Sequence, residues 1–287
     1  MERVYDISIA VEMMQAYLLI HDDVIDKDTL RRGKPTLHRA FEEIHEKKLE
    51  VGDPEHFGVS EAIVAGDIAN TFGYEIILNS DFPVEVKNNV LEVYNKVLAQ
   101  TCYGQMLDVL ASAQPLGSVK EEDVLTVHRL KTSKYTIEGP LHMGAILAGT
   151  SKKNMRILSS YAIPLGIAFQ LQDDILGLFG DTEKTGKPVG ADVREGKRTL
   201  LMVKAWELGS EKDREILNRF LGKSDLTGKE LEMVRDVVVR TGSLDYSKEL
   251  AKKYAKEVKP VIEKSSFRKE GKDFLLGIAD YLINREW

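Results

Sequence analysis

Apolar residues return at steps of three and four along almost the whole chain, the spacing that lines one face of an α-helix. The pattern predicts helices over 7–25, 62–78, 84–110, 121–147, 155–179, 200–221, 228–241, 246–264 and 271–283. Alternating strand patterns closed by Gly-Asn or Asn-Gly turns are absent. The fold class that follows is all-α, a bundle of about ten or more helices. Punctuation fits it: Gly33-Lys34-Pro35 ends the first helical region, Gly52-Asp53-Pro54 marks a loop and Pro83 sits at a helix start. Pro140 and Pro164 fall inside helical patterns and should kink them. The clearest loop is 180–190, rich in Gly, Lys and Asp. A second polar stretch, 42–57, reads as a solvated insertion.

Two apolar helical runs end in carboxylates, and this break in the pattern is where chemistry enters. The first carries His21-Asp22-Asp23-Val24-Ile25-Asp26, followed by Leu30-Arg31-Arg32-Gly33; the second carries Gln170-Leu171-Gln172-Asp173-Asp174. Asp22 and Asp26 are four positions apart and share a helix face, one turn from each other. Carboxylates at the ends of greasy helices are costly to bury without cations, and the adjacent sequence offers too few positive side chains on the same face. Bound metal is the expectation. Mg²⁺ favours carboxylates together with phosphate oxygens and retained water, so the two acidic helix ends predict a seat for a diphosphate bridged by Mg²⁺. Arg31 and Arg32 would add phosphate donors, and Lys131-Thr132, Lys187 and Lys197 could complete the charge. Asp-Asp-x-x-Asp alone also arises in ordinary acidic helices. The second Asp-Asp pair, the Arg-Arg-Gly and the segment Gly104-Gln105-Met106-Leu107-Asp108 together make chance a poor account.

Composition narrows the alternatives. A chain of 287 residues, 43% hydrophobic and without a Pro/Gly/Ser-rich linker, reads as one domain over 1–287. The formal charge of -6, with Lys and Arg scattered along helices, disfavours a general nucleic-acid binder. The single cysteine, Cys102, excludes a disulfide framework within the chain and fits reducing, cytoplasmic surroundings. The first residues lack the basic n-region of a signal peptide, and the most apolar stretch, 161–179, contains Asp173 and Asp174 with Pro164 and Gly166, so no membrane span is expected. There is no Gly-x-Ser-x-Gly elbow, His-Glu-x-x-His pair or Gly-rich phosphate loop, and Cys102 has no helper. His21 reads as a helix-face hydrogen-bonding residue.

The two aspartate-rich segments, in this order with the elements between them, resemble those of the trans-isoprenyl diphosphate synthases, the archaeal short-chain geranylgeranyl and farnesyl diphosphate synthases above all. The likeness runs from about Glu12 to Arg285. It implies an isoprenoid-synthase bundle around a deep central cavity. It further implies a trans-prenyltransferase that condenses isopentenyl diphosphate with allylic diphosphates, three Mg²⁺ per site and a homodimer. By resemblance, Asp22, Asp26 and Asp173 are the principal metal ligands, with Asp23 and Asp174 in support. Arg31, Lys131, Thr132, Gln170, Lys187 and Lys197 grip the allylic diphosphate, and Lys131, Thr132 and Gln170 carry the catalytic roles. Gln15 and Arg32 resemble residues on the isopentenyl side. Gln105 and Asp108 match the Gly-Gln-x-x-Asp element, and Phe169 precedes Gln170 in the pocket.

Tyr17 lies five positions before Asp22, more than one helical turn down the same helix, where its ring could floor an apolar tunnel. The resemblance then implies a geranylgeranyl product first and farnesyl second; an ordinary core aromatic is the competing reading. Two departures stand out. Gly177 occupies the place of a third Asp in the second cluster, leaving Asp181 as a candidate for that contact. The family's Gly-Gly-Lys-Arg-x-Arg-Pro segment, which holds isopentenyl diphosphate, has no counterpart in 1–21. That keeps two other readings open: a non-catalytic or regulatory subunit of a hetero-oligomeric synthase, and a class I terpene synthase.

Overall fold

The computed structural model describes residues 2–180 and 189–283, and these are helical almost throughout. The all-α expectation holds. No helix among the described residues is long and apolar enough to cross a membrane. The chain divides into two compact units, 1–95 with 143–149, and 96–142 with 150–287.

In the first unit α1 (Glu2–Ile25) packs along α3 (Pro54–Asn79), which also carries α2 (Leu37–Lys48). α3 begins eight residues before its predicted start because Asp53 caps it, accepting from the Glu55 amide at 3.0 Å, with Pro54 in the first turn. The solvated loop expected over 42–57 is largely absent: α2 runs through Lys48 and α3 starts at Pro54. His45 is buried at the end of α2, donates from Nε2 to the Val51 carbonyl (3.0 Å) and meets Phe57 at a tilt with ring centroids 5.1 Å apart. Between α1 and α2 the chain makes a hairpin that helical periodicity did not predict, β1 (Leu30–Arg31) against β2 (Lys34–Pro35). Arg32 and Gly33 turn it, both with positive φ (53° and 73°), which is the type I′ geometry that matches the twist of a two-residue hairpin.

The second unit is built on α7 (Lys152–Phe179), whose Leu171, Ile175 and Leu178 enter a core with Leu200, Leu201, Val234 and Val237. α4 (Val84–Ser112) leads into this unit, and α5 (Glu121–Val127), an 11-residue π-helical stretch (His128–Glu138) and α6 (Gly139–Leu147) follow. The predicted continuous helix 121–147 is thus wound more loosely in its middle. Pro140 has no amide hydrogen to continue the ladder, and the Gly139 amide reaches back five residues to the Lys134 carbonyl. Two close approaches seat the stretch. A Cβ on Gly104 of α4 would lie 2.4 Å from the Lys131 amide nitrogen, and one on Gly166 of α7 would lie 2.5 Å from the Ser133 Cα.

Beyond α7 come α8 (Ala191–Glu195), α9 (Leu200–Leu208), α10 (Glu211–Phe220), α11 (Gly228–Arg240), α12 (Ser243–Glu257), α13 (Lys259–Glu263) and α14 (Lys269–Ile283). The predicted helix 200–221 breaks at Gly209-Ser210, where Ser210 and Asp213 form a capping box, and 246–264 breaks before Pro260.

Candidate active site

The first acidic cluster lies in the first unit, where α1 ends and the hairpin begins. Asp22 is half-buried, whereas Asp23 is 4% exposed. Arg31 on β1 answers Asp23: its Nε donates to Asp23 Oδ1 at 2.6 Å and its Nη2 lies 2.5 Å from the same oxygen. The guanidinium also lies 3.7 Å from Asp22 Oδ2 and 3.6 Å from Asp28 Oδ2. Burial pulls the Arg31 pKa down, but bonding to Asp23 and the charges of Asp23, Asp22 and Asp28 outweigh it and leave it raised. The expectation that adjacent sequence supplies too little positive charge is therefore corrected, because the hairpin folds Arg31 back onto the cluster. Asp26 follows directly, its amide bonded to the Asp22 carbonyl at 2.8 Å. Arg32 stands exposed at the hairpin tip and does not join the ion pairs.

On the body of α1, Gln15 and Tyr17 are half-buried. The Tyr17 ring meets His21 at a tilt with centroids 4.5 Å apart, and His21 Nε2 donates to the Ile63 carbonyl at 3.1 Å, the helix-face role expected of it. A second aromatic pair lies in the same unit: Tyr94 is fully buried, bonds Asn70 Oδ1 at 3.1 Å and meets Tyr74 edge-on with centroids 4.9 Å apart. Burial raises the Tyr94 phenol, with Tyr74 and Tyr17 adding to the shift.

The second cluster lies in the second unit, near the end of α7. Asp173 is exposed and Asp174 is 6% exposed. Asp174 Oδ1 accepts from Gln170 Nε2 at 2.9 Å, and Gln170 Oε1 accepts from the Thr132 hydroxyl at 2.7 Å. Lys131, beside Thr132 on the π-helical stretch, donates to Asp108 Oδ2 at 2.8 Å; Lys197, after α8, donates to the same oxygen at 3.0 Å. Burial pushes the Asp108 carboxyl up, but the two ammonium groups outweigh it and hold it below the usual carboxylate range. Gln105 is half-buried, its Nε2 without a hydrogen-bond partner among the described residues. Phe169 is half-buried on α7.

Lys187 and Asp181 lie outside the described residues. At Gly177 a Cβ would stand 3.0 Å from Asp192 Oδ2, a tight contact with the end of a side chain. Asp192 of α8 thus brings a carboxylate next to the position where the sequence lacks one. Sequence reading missed Asp192, Asp28 and His128, which belong to no motif and are brought to the site by folding alone.

Among the described residues no three His, Cys, Asp or Glu side chains converge into a ready-made cation cage. The donor set nevertheless fits a hard divalent cation. It is all oxygen, and Mg²⁺ needs only one or two carboxylates when phosphate oxygens and waters supply the rest. Cations that match phosphate, Lys131 and Lys197, are held in the same unit as Asp173.

An all-helical protein with an Asp-rich helix end in each unit, and with lysines set for an anion in the second, falls in the class that handles diphosphates with divalent metal. The polyprenyl synthetase family model matches residues 1–238. The geranylgeranyl diphosphate synthase of Sulfolobus acidocaldarius is 31% identical over 99% of this chain and 81% of that protein. The geranylfarnesyl diphosphate synthase of Aeropyrum pernix is 30% identical over 99% and 83%. A geranylgeranyl pyrophosphate synthase from Corynebacterium glutamicum, whose crystal structure holds isoprenyl diphosphate and magnesium, superposes with a TM-score of 0.94 at 34% identity, covering 99% of this chain and 80% of that one. The chain belongs to the polyprenyl synthetase family and is a trans-prenyltransferase.

Proposed function

We propose that the protein condenses isopentenyl diphosphate with allylic diphosphates and stops at geranylgeranyl diphosphate, with farnesyl diphosphate as the second choice of product. The observation that carries this reading is the shared oxygen of Asp108. It holds Lys131 and Lys197 together beside the Thr132–Gln170 hydrogen bond, so two ammonium groups and two neutral polar groups are set for one diphosphate before it arrives.

As the family resemblance implies, Asp22, Asp26 and Asp173 would be the principal ligands for three Mg²⁺, with Asp23 and Asp174 in support. Bound Mg²⁺ supplies positive charge at the diphosphate oxygens. Arg31, Lys131, Lys187 and Lys197 stabilise the same group as the allylic carbon–oxygen bond ionises, while Thr132 and Gln170 orient it. Gln15 and Arg32 serve the isopentenyl side, and Gln105 and Phe169 border the pocket. The isopentenyl double bond attacks the allylic cation, and the released diphosphate takes the final proton, which is why no protein nucleophile or dedicated base is required. Apolar walls keep water from the cation. Tyr17 sets product length from its place on α1. The enzyme works in the cytoplasm as a homodimer, a state favoured by the exposed Tyr103, Met106, Val109 and Leu110 on α4.

The test is incorporation of labelled isopentenyl diphosphate by the purified protein, offered dimethylallyl, geranyl and farnesyl diphosphate in turn, with product length read by mass spectrometry. Mg²⁺-dependent elongation ending at C20, and longer products from Tyr17→Ala, are the expected result. Failure to incorporate with all three allylic partners overturns the reading.

A further inference from the structure

His128 is a buried imidazole that the proposed reaction does not use. It opens the π-helical stretch, its side chain is 6% exposed, and its Nε2 lies 3.3 Å from Oδ2 of Asp174, itself 7% exposed at the side chain. Asp174 Oδ1 is already held by Gln170, one turn earlier on α7. Oδ2 is buried and has no hydrogen-bond partner among the described residues, so the imidazole is the polar group placed to answer it. A buried carboxylate oxygen left unanswered keeps its full desolvation penalty.

We infer that His128 is a positioning residue for the second aspartate pair, an inference that rests on the function proposed above. With Gln170 bonded to one oxygen and the His128 imidazole 3.3 Å from the other, the Asp174 carboxylate is held from both sides. The two anchors have different origins. Gln170 belongs to α7, and its own Oε1 is tied to Thr132; His128 belongs to the π-helical stretch that also carries Lys131 and Thr132. The Asp174–His128 contact and the Gln170–Thr132 bond therefore pin that stretch to α7 at two points, and this fixes the register of Lys131 and Thr132 against the exposed Asp173 next in line. Nε2 can donate from the neutral Nε2–H tautomer and from the cation alike, so the contact does not depend on a change of charge. Groups that orient metal-binding carboxylates from behind set metal affinity without touching the ion.

The experiment compares wild type with His128→Leu, which removes the donor, and His128→Gln, which restores an Nε2 donor. Binding of Mn²⁺ in the presence of inorganic diphosphate is read by electron paramagnetic resonance, and KM for isopentenyl diphosphate is measured separately. His128→Leu should weaken Mn²⁺ binding by about tenfold or more, the usual cost of losing such a partner. KM for isopentenyl diphosphate should stay where it is, His128→Gln should recover most of the loss, and in an Asp174→Asn background the Leu substitution should have little further effect. A folded His128→Leu protein with wild-type Mn²⁺ affinity overturns the inference, as does a loss that His128→Gln does not relieve or that persists undiminished in Asp174→Asn. If circular dichroism shows that the Leu variant does not fold, His128→Asn, too short to reach, takes its place against His128→Gln. A wild-type protein that binds no Mn²⁺ with diphosphate and incorporates no isopentenyl diphosphate sinks the functional reading itself; a wild type that does both, with variants that change nothing, sinks only the role of His128.

Discussion

Each Asp-Asp pair divides its labour between its two members. Asp23 and Asp174 are buried and tied into the scaffold by Arg31 and Gln170, while Asp22 is half-buried and Asp173 exposed. Sequence spacing marked the pairs but could not say which member faces solvent, because that depends on a hairpin and a π-helical stretch that periodicity does not reveal. Asp108 shows the same limit: the Gly-Gln-x-x-Asp segment was legible, whereas its joint grip on Lys131 and Lys197, residues far along the chain, was not. The grip has a pH signature. Asp108 has a folded pKa depressed below the unfolded carboxylate value of about 3.9, so its contribution is complete above that value and disappears as pH falls through the lower folded one. Asp108→Asn should therefore cost about 1–3 kcal/mol of stability at pH 7, the range for disrupting a buried charged partner, and the gap to wild type should close on acidification below pH 4. Urea denaturation at pH 7 and pH 3 checks it; a gap that stays constant between the two contradicts the assignment.

Helices were the most legible elements, since a three-four repeat needs no partner to be seen. α2 escaped because its face is completed by buried His38 and His45 and its apolar positions, Leu37, Ala40, Phe41 and Ile44, are diluted by charge. The π-helical stretch escaped for another reason: its wider winding is imposed from outside, by Pro140 and by the close passage of α4 and α7. That passage depends on the missing side chains of Gly104 and Gly166. Gly166→Ala would drive a methyl group into the Ser133 backbone, which no rotamer change can relieve, so an overpacking cost of about 1–3 kcal/mol is expected together with a higher KM for the allylic diphosphate as Thr132 leaves Gln170. Gly228→Ala is the control: its Cβ meets nothing within 4 Å, and alanine suits the helix better than glycine. Thermal unfolding and steady-state kinetics of the two variants should diverge, and equal behaviour would remove the close-packing argument.

In the whole molecule, among the described residues, α4 carries an apolar outer stripe, as α3 does at Val64, Ile68 and Phe72. Tyr103, Met106, Val109 and Leu110 recur at helical spacing on α4 and are 62%, 66%, 46% and 54% exposed, while Gly104 and Asp108 on the same helix serve the π-helical stretch and the lysines. One helix thus carries both a working face and a candidate partner face. Met106→Asp should convert a dimer into a monomer in light scattering, and a wild-type protein that is already monomeric at micromolar concentration would remove the premise. At this scale the sequence foretold the class of fold, because carboxylate-ended helices and an unbroken helical pattern are local features; which apolar residues stay outside is seen only once the chain is folded. The ion pair between Arg31 and Asp23 reaches this scale too. Because its most buried acid is neutralised internally, the first unit should fold without an inorganic ion. Chelators should then act on this protein as a reversible off-switch rather than a denaturant, so that a stripped sample can be stored, reloaded with a spectroscopically useful metal and returned to work.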